Sequence, residues 1–64
     1  MHVYIDVKTE LHSACICAVA VPCEVGFALM HQRSGEFLFR LPETIRVLPG
    51  NGIVYEDNAI RVRA

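Results

Sequence analysis

Residues 14–21 (ACICAVAV) are apolar throughout, and they limit the possible folds of this 64-residue chain more than any other segment. As a helix, the run would be apolar on all sides and would need burial all around, which so short a chain can scarcely supply. As a strand inside a sheet, it needs cover on its two faces only. It is also well short of the about 20 apolar residues that a bilayer-spanning helix requires. The run therefore predicts a central β-strand.

The composition indicates that this strand shares its apolar surface with another molecule. Hydrophobic residues make up 53% of the chain, whereas a domain of about 60 residues buries only about 60% of the surface that its unfolded chain exposes. Soluble monomers rarely leave large apolar patches exposed. We therefore expect a homo-oligomer or a protein partner, with the face of the strand formed by Ile16, Ala18 and Ala20 as the interface.

Other segments alternate between apolar and polar residues, as strands with one buried face do. The alternation is clear in residues 2–8, 36–41, 44–48 and 53–63, and residues 49–52 (PGNG) have the composition of a turn. The side chains expected in the core of the monomer are Phe27, Phe37, Phe39, Ile45, Val47, Ile60 and Val62.

Residues 22–33 fit two templates. As a hairpin arm, their apolar residues alternate with polar or small ones; as a helix, Pro22 would lie in the first turn and Gly35 would follow the end. Gly26 would destabilise the interior of such a helix by about 1 kcal/mol relative to alanine, so we favour the strand. Residues 1–64 are thus predicted to form one small all-β domain, an antiparallel barrel or sandwich of six to seven short strands. An α+β fold with one helix at 22–33 is the alternative.

Of the six basic residues, Lys8 is a lysine and the other five are arginines. The predicted strands place four of these arginines at outward positions: Arg40, Arg46, Arg61 and Arg63. Arginine binds phosphate bidentately and stacks on bases, so a single-stranded nucleic-acid site formed by these residues is the second functional hypothesis. The charge balance is against it, because the chain has a formal net charge of -1 and nucleic-acid-binding domains are usually strongly basic. Cross-strand ion pairs are the simpler explanation.

A metal site would draw on one imidazole and three thiols: His12, Cys15, Cys17 and Cys23. A Cys3His set suits zinc, but the ligand pairs of structural zinc sites are typically separated by two to four residues on a turn. On a strand, Cys15 and Cys17 would be about 6.6 Å apart along the axis. Free cysteine is commonly a buried small hydrophobe, so no metal is expected.

Motifs of enzyme chemistry are missing from the sequence: there is no paired-carboxylate, nucleophile-elbow or phosphate-loop pattern. A catalytic thiolate needs an electropositive neighbourhood, but the charged residue beside Cys23 is Glu24. We therefore expect no enzymatic activity and no cofactor. The leading hypothesis is a non-enzymatic protein-interaction or self-assembling module. Its odd number of cysteines and its acidic residues at positions 6 and 10 predict a cytoplasmic protein without a membrane span.

Overall fold

The computed structural model describes residues 1–47, 50 and 52–64, and these residues form one curled sheet of six antiparallel strands, shaped like half a barrel. The strands are β1 (His2–Lys8), β2 (Ser13–Pro22), β3 (Phe27–His31), β4 (Phe37–Arg40), β5 (Ile53–Glu56) and β6 (Ile60–Arg63). Their order across the sheet is β4-β3-β2-β1-β6-β5. The all-β prediction is confirmed. No helix long and apolar enough to cross a bilayer occurs in the described part of the chain.

The apolar run forms the middle of the sheet, as predicted. It lies in β2, which pairs with β1 along its first half and with β3 along its second half. Val3 pairs with Ala18, and Ile5 pairs with Ile16, so the alternating apolar residues of both strands project to the same, concave side. Burial of that side fixes the register, because a slip by one residue would turn every core side chain outward.

The core fills the concave side of the sheet. Its buried hydrophobic members are Val3, Ile5, Ala18, Ala20, Leu29, Leu41, Val47 and Val62, and partly buried side chains surround them. None of the described buried residues is polar or charged. The described residues form one small core on this side, with a single sheet layer around it, and they place no second layer on the other side of the sheet.

The predicted strand at 44–48 does not form in its described residues, 44–47. Pro42 has no N–H group to donate to a sheet, and the Ile45 N–H closes a turn onto the Pro42 carbonyl oxygen at 3.0 Å. The chain leaves the sheet here and passes over the concave side, where Leu41 and Val47 are 1% and 3% exposed. Leu48, Pro49 and Asn51 lie outside the described residues, and with them half of the predicted turn at 49–52.

Residues 22–33 adopt the predicted extended structure instead of the alternative helix. The Cys23 N–H donates to the Gly26 carbonyl oxygen at 2.9 Å and closes the turn between β2 and β3. Gly26 has a φ of +74°, a conformation that residues with a Cβ atom rarely adopt. At the other end of β3, the Nδ1 atom of His31 accepts hydrogen bonds from the backbone N–H groups of Arg33 and Ser34. The side chain of His31 thus holds the loop of the β3–β4 hairpin.

Phe37 was expected in the core, but it is 54% exposed on the outer face. The cause is an irregularity in the β3–β4 pairing. Leu29 pairs with Phe39 and Met30 pairs with Phe37, which leaves Leu38 as the extra residue of a β-bulge. Leu38 and Phe39 therefore both pack against the core, and Phe37 is turned to the outer face.

Candidate functional site

The outer, convex face of the sheet carries most of the side chains that could interact with another molecule. The face formed by Ile16, Ala18 and Ala20, expected at an interface, is instead the concave one. Ala18 and Ala20 are 0% and 2% exposed within the single chain, and Ile16 packs beside them. Ala18 and Ala20 are covered by the protein's own core, so a second subunit could not reach them, and Ile16 is partly buried. The opposite face of β2 is the one open to contact.

On the outer face, β1, β5 and β6 carry interleaved charges, which we call the charged half: Asp6, Lys8, Glu56, Arg61 and Arg63. The Glu56 carboxylate accepts from the Lys8 ammonium and from Nε of Arg61, each at 2.8 Å. Both hydrogen bonds lower the pKa of Glu56. These positions are adjacent because β6 pairs with β1 on one side and with β5 on the other.

Arg63 contacts three other side chains on the outer face. Its Nε atom donates to Asp6 at 2.9 Å, its guanidinium carbon lies 4.7 Å from the centre of the Tyr4 ring, and its Nη2 atom lies 3.8 Å from the sulfur of Cys15. The hydrogen bond to Arg63 lowers the pKa of Asp6 and raises that of Arg63. The guanidinium thus makes three contacts within the chain, while its side chain remains 42% exposed.

The β5–β6 turn is fixed by a second carboxylate. One oxygen of Asp57 accepts from the backbone N–H groups of Ala59 and Ile60, at 2.7 and 2.9 Å, and the other accepts from the Tyr55 hydroxyl at 3.0 Å. The two backbone hydrogen bonds lower the pKa of Asp57, and the same carboxylate raises the pKa of Tyr55. An aspartate that binds backbone groups two and three residues on is a common device in turns.

The candidate nucleic-acid residues do not converge. Arg61 and Arg63 are paired with carboxylates in the charged half. Arg40 lies on β4, the edge strand separated from β6 by three intervening strands, which corresponds to about 19 Å across the sheet. Arg46 belongs to the segment that crosses the concave side. One continuous arginine surface is not formed by these four residues.

The candidate metal ligands are also dispersed. Cys15 and Cys17 lie on the outer face of β2 and are exposed, Cys23 lies in the turn beyond its end, and His12 lies in the turn before it. Partial desolvation and the neighbouring Asp6 carboxylate raise the pKa of Cys15, which keeps the thiol protonated and weakly nucleophilic. Within the described residues, no three His, Cys, Asp or Glu side chains are arranged to hold a metal ion.

The outer face of β2, β3 and β4 differs from the charged half because it carries apolar side chains. The sequence pattern did not predict this surface. Register places Val19, Met30 and Phe37 in one row across these strands, with Val21 beside them. We call these four residues the apolar patch. Phe37 is 54% and Val21 is 41% exposed, and Val19 and Met30 are half-buried. Alternation alone could have placed Val19 and Val21 on this face, but Phe37 arrives there through the bulge.

Two open depressions flank the sheet, one beside Lys8 and Cys15 and one beside Glu24 and Arg46. Neither is enclosed, and both lie open to solvent, so they offer little of the desolvation on which ligand and catalytic sites depend. No protein-family model, curated protein or solved structure matches the chain. The candidate site is therefore defined by geometry alone: an apolar patch next to a charged half whose charges are paired within the chain.

Proposed function

We propose that this protein is a non-enzymatic, self-associating β module that contacts a second copy of itself through the β2–β4 half of the sheet. The observation that carries the proposal is the apolar patch, which lies on the outer face of a single-layer sheet. The solvent-facing side of an antiparallel sheet is normally polar. A row of apolar residues there, ending at a free sheet edge, is typical of a surface that is covered in an assembly.

Surface area supports the proposal. The chain exposes 4518 Å², whereas the usual scaling of surface with mass gives about 4,100 Å² for a compact 7.2 kDa monomer. The excess comes with an open sheet, whose edge strands β4 and β5 do not pair with each other in the described residues. An assembly would remove part of this excess.

The test is the molecular mass of the protein across concentration, measured by sedimentation velocity and by light scattering. We expect a monomer at low concentration and a defined larger species at tens to hundreds of micromolar, since association depends on concentration by mass action. A strict monomer throughout this range contradicts the proposal.

Single-stranded nucleic-acid binding remains the alternative, with little support from the geometry because Arg61 and Arg63 are already paired. Fluorescence anisotropy with a labelled oligonucleotide at low and high salt tests it directly. We expect no salt-dependent binding. A strong salt dependence would instead favour the alternative, because released counterions are the mark of phosphate contacts. The cytoplasmic location is likewise a prediction that fractionation of cells tests.

A further inference from the structure

We propose that β4 is the contact strand, and that it pairs antiparallel with β4 of a second copy in one defined register. This inference rests on the proposed function and specifies its contact strand, with Phe37 as the residue of the apolar patch that meets the second copy. In the described residues, the backbone partners of β4 all belong to β3. The other long side of β4 is therefore free to accept a strand, and such an edge is a ready template for pairing.

The composition of β4 favours pairing over protection. Free edges are usually kept short or protected by bulges, lysine, inward-pointing charge or proline within the strand. β4 is short and bulged, but its sequence, Phe-Leu-Phe-Arg, has no lysine, proline or inward-pointing charge. The opposite edge is different, because Glu56 of β5 is bound to Lys8 and Arg61. β5 is Ile-Val-Tyr-Glu and is also rich in strand-forming residues, but of the two edges β4 is the one that continues the apolar patch.

The register follows from the faces of the side chains. Phe37 and Arg40 pair with Met30 and Ala28 and share the outer face, whereas Leu38 and Phe39 pack against the core. A two-fold pairing centred between Leu38 and Phe39 places Phe37 opposite Arg40 of the second copy, and Leu38 opposite Phe39 of the second copy. Outer residues then meet outer residues and core residues meet core residues. A shift by one residue would mix the two faces, which burial of one face disfavours.

The chemistry of this register is self-complementary. Phe37 would lie beside a guanidinium of the second copy, and the pair occurs twice by symmetry. Arginine stacks favourably on an aromatic ring, and its aliphatic stem covers apolar surface. Arg40 does not meet its own symmetry copy, so no like charges oppose each other. The edge is only four residues long, so the interface is smaller than standard and the dimer is expected in the micromolar range.

Substitutions at position 37 distinguish this register from an interface in which Phe37 is simply buried, without a defined pairing. In the proposed pairing, Phe37→Arg sets two positive charges opposite each other at both symmetric positions, and the dissociation constant should rise about tenfold or more. Phe37→Glu sets a carboxylate opposite Arg40 of the second copy, and the dimer should persist within about threefold of wild type. The double variant F37R/R40E restores opposite charges and should recover association.

Phe37 is largely exposed, so these variants are expected to fold, and far-UV circular dichroism with thermal melting verifies this. Leu11→Arg is the matched control: it adds the same charge at a side chain that is 86% exposed in the β1–β2 turn, and it should leave association unchanged. The readout is the dissociation constant from sedimentation equilibrium at one ionic strength.

Each outcome assigns the interface or rejects it. Loss with F37R together with retention in F37E and recovery in F37R/R40E supports the β4 register. Equal weakening by F37R and F37E overturns the register and leaves the proposed function standing, with Phe37 acting by burial alone. No effect of any variant on a wild-type dimer overturns β4 as the contact strand. A monomeric wild type overturns both proposals.

Discussion

In the charged half of the outer face, each charged side chain of β1 and β6 lies within 4 Å of an opposite charge. In the apolar patch, Phe37 and Val21 are exposed, and no second layer formed by the described residues covers them. The charged side chains are stabilised by water and by ion pairs within the chain. The apolar side chains are stabilised only when they are removed from water. The difference teaches that the charged half is stabilised within the chain, whereas the apolar patch is left exposed and is the part of the sheet that we propose to be covered by association.

The two faces of β2 differ most, because one lies in the core and the other is exposed on the outer face. Ala18→Glu forces a carboxylate into the core with no partner, and we expect loss of the folded state. Val21→Glu, on the outer face three residues away, should leave the fold intact. Circular dichroism and thermal melting compare the two variants. A folded Ala18→Glu protein would show that the concave side is not the core.

Acid should destabilise the protein through the carboxylates of the charged half and of the β5–β6 turn. The folded-state pKa values of Asp6, Glu56 and Asp57 are lowered, so their contribution to stability is complete above their unfolded pKa of about 4. It is lost as the pH falls through the lower folded values. We therefore expect Tm to be level from neutral pH to about 5 and to fall below about 4. A Tm that rises in acid would contradict the ion-pair geometry.

The β3–β4 and β5–β6 hairpins are stabilised by different groups. A glycine substitution tests the β3–β4 hairpin, which lies beside the apolar patch. Gly35 has a φ of +73° in the β3–β4 loop, with open space around the position of a Cβ atom. Gly35→Ala should cost about 1 kcal/mol through backbone strain alone. Chemical denaturation measures the loss. Gly52→Ala is the control, because Gly52 lacks a positive φ and has open space around it, so little change is expected there.

Arg63→Lys should have the smallest effect. Lysine keeps the charge near Asp6 but lacks the planar guanidinium that lies over Tyr4. Because these groups are exposed to solvent, we expect Tm to fall by no more than a few degrees. The same measurement on Arg63→Met, which removes the charge and leaves Asp6 without its partner, should show the larger loss. Equal values for the two variants would mean that the stacking on Tyr4 dominates.

Local pattern predicted much of this fold because a strand has a period of two residues, and that period is visible in the sequence itself. The alternation of residues 2–8 and the apolar run of β2 gave the correct strands and, for β1, the correct buried face. The interface prediction failed at Ala18 because two apolar faces of one strand look alike locally. Which of them meets the core depends on what other segments cover it, here Leu41 and Val47.

By itself, the sequence determined an all-β chain with a surplus of apolar side chains, since period and composition are properties of neighbouring residues. Only the tertiary structure decided that β6 lies beside β1, so that Arg63 reaches Asp6 across a separation of 57 residues. It also decided that a bulge turns Phe37 outward. Pairing and register depend on the sum of many long-range contacts, so the charged half and the apolar patch exist only once the sheet has formed.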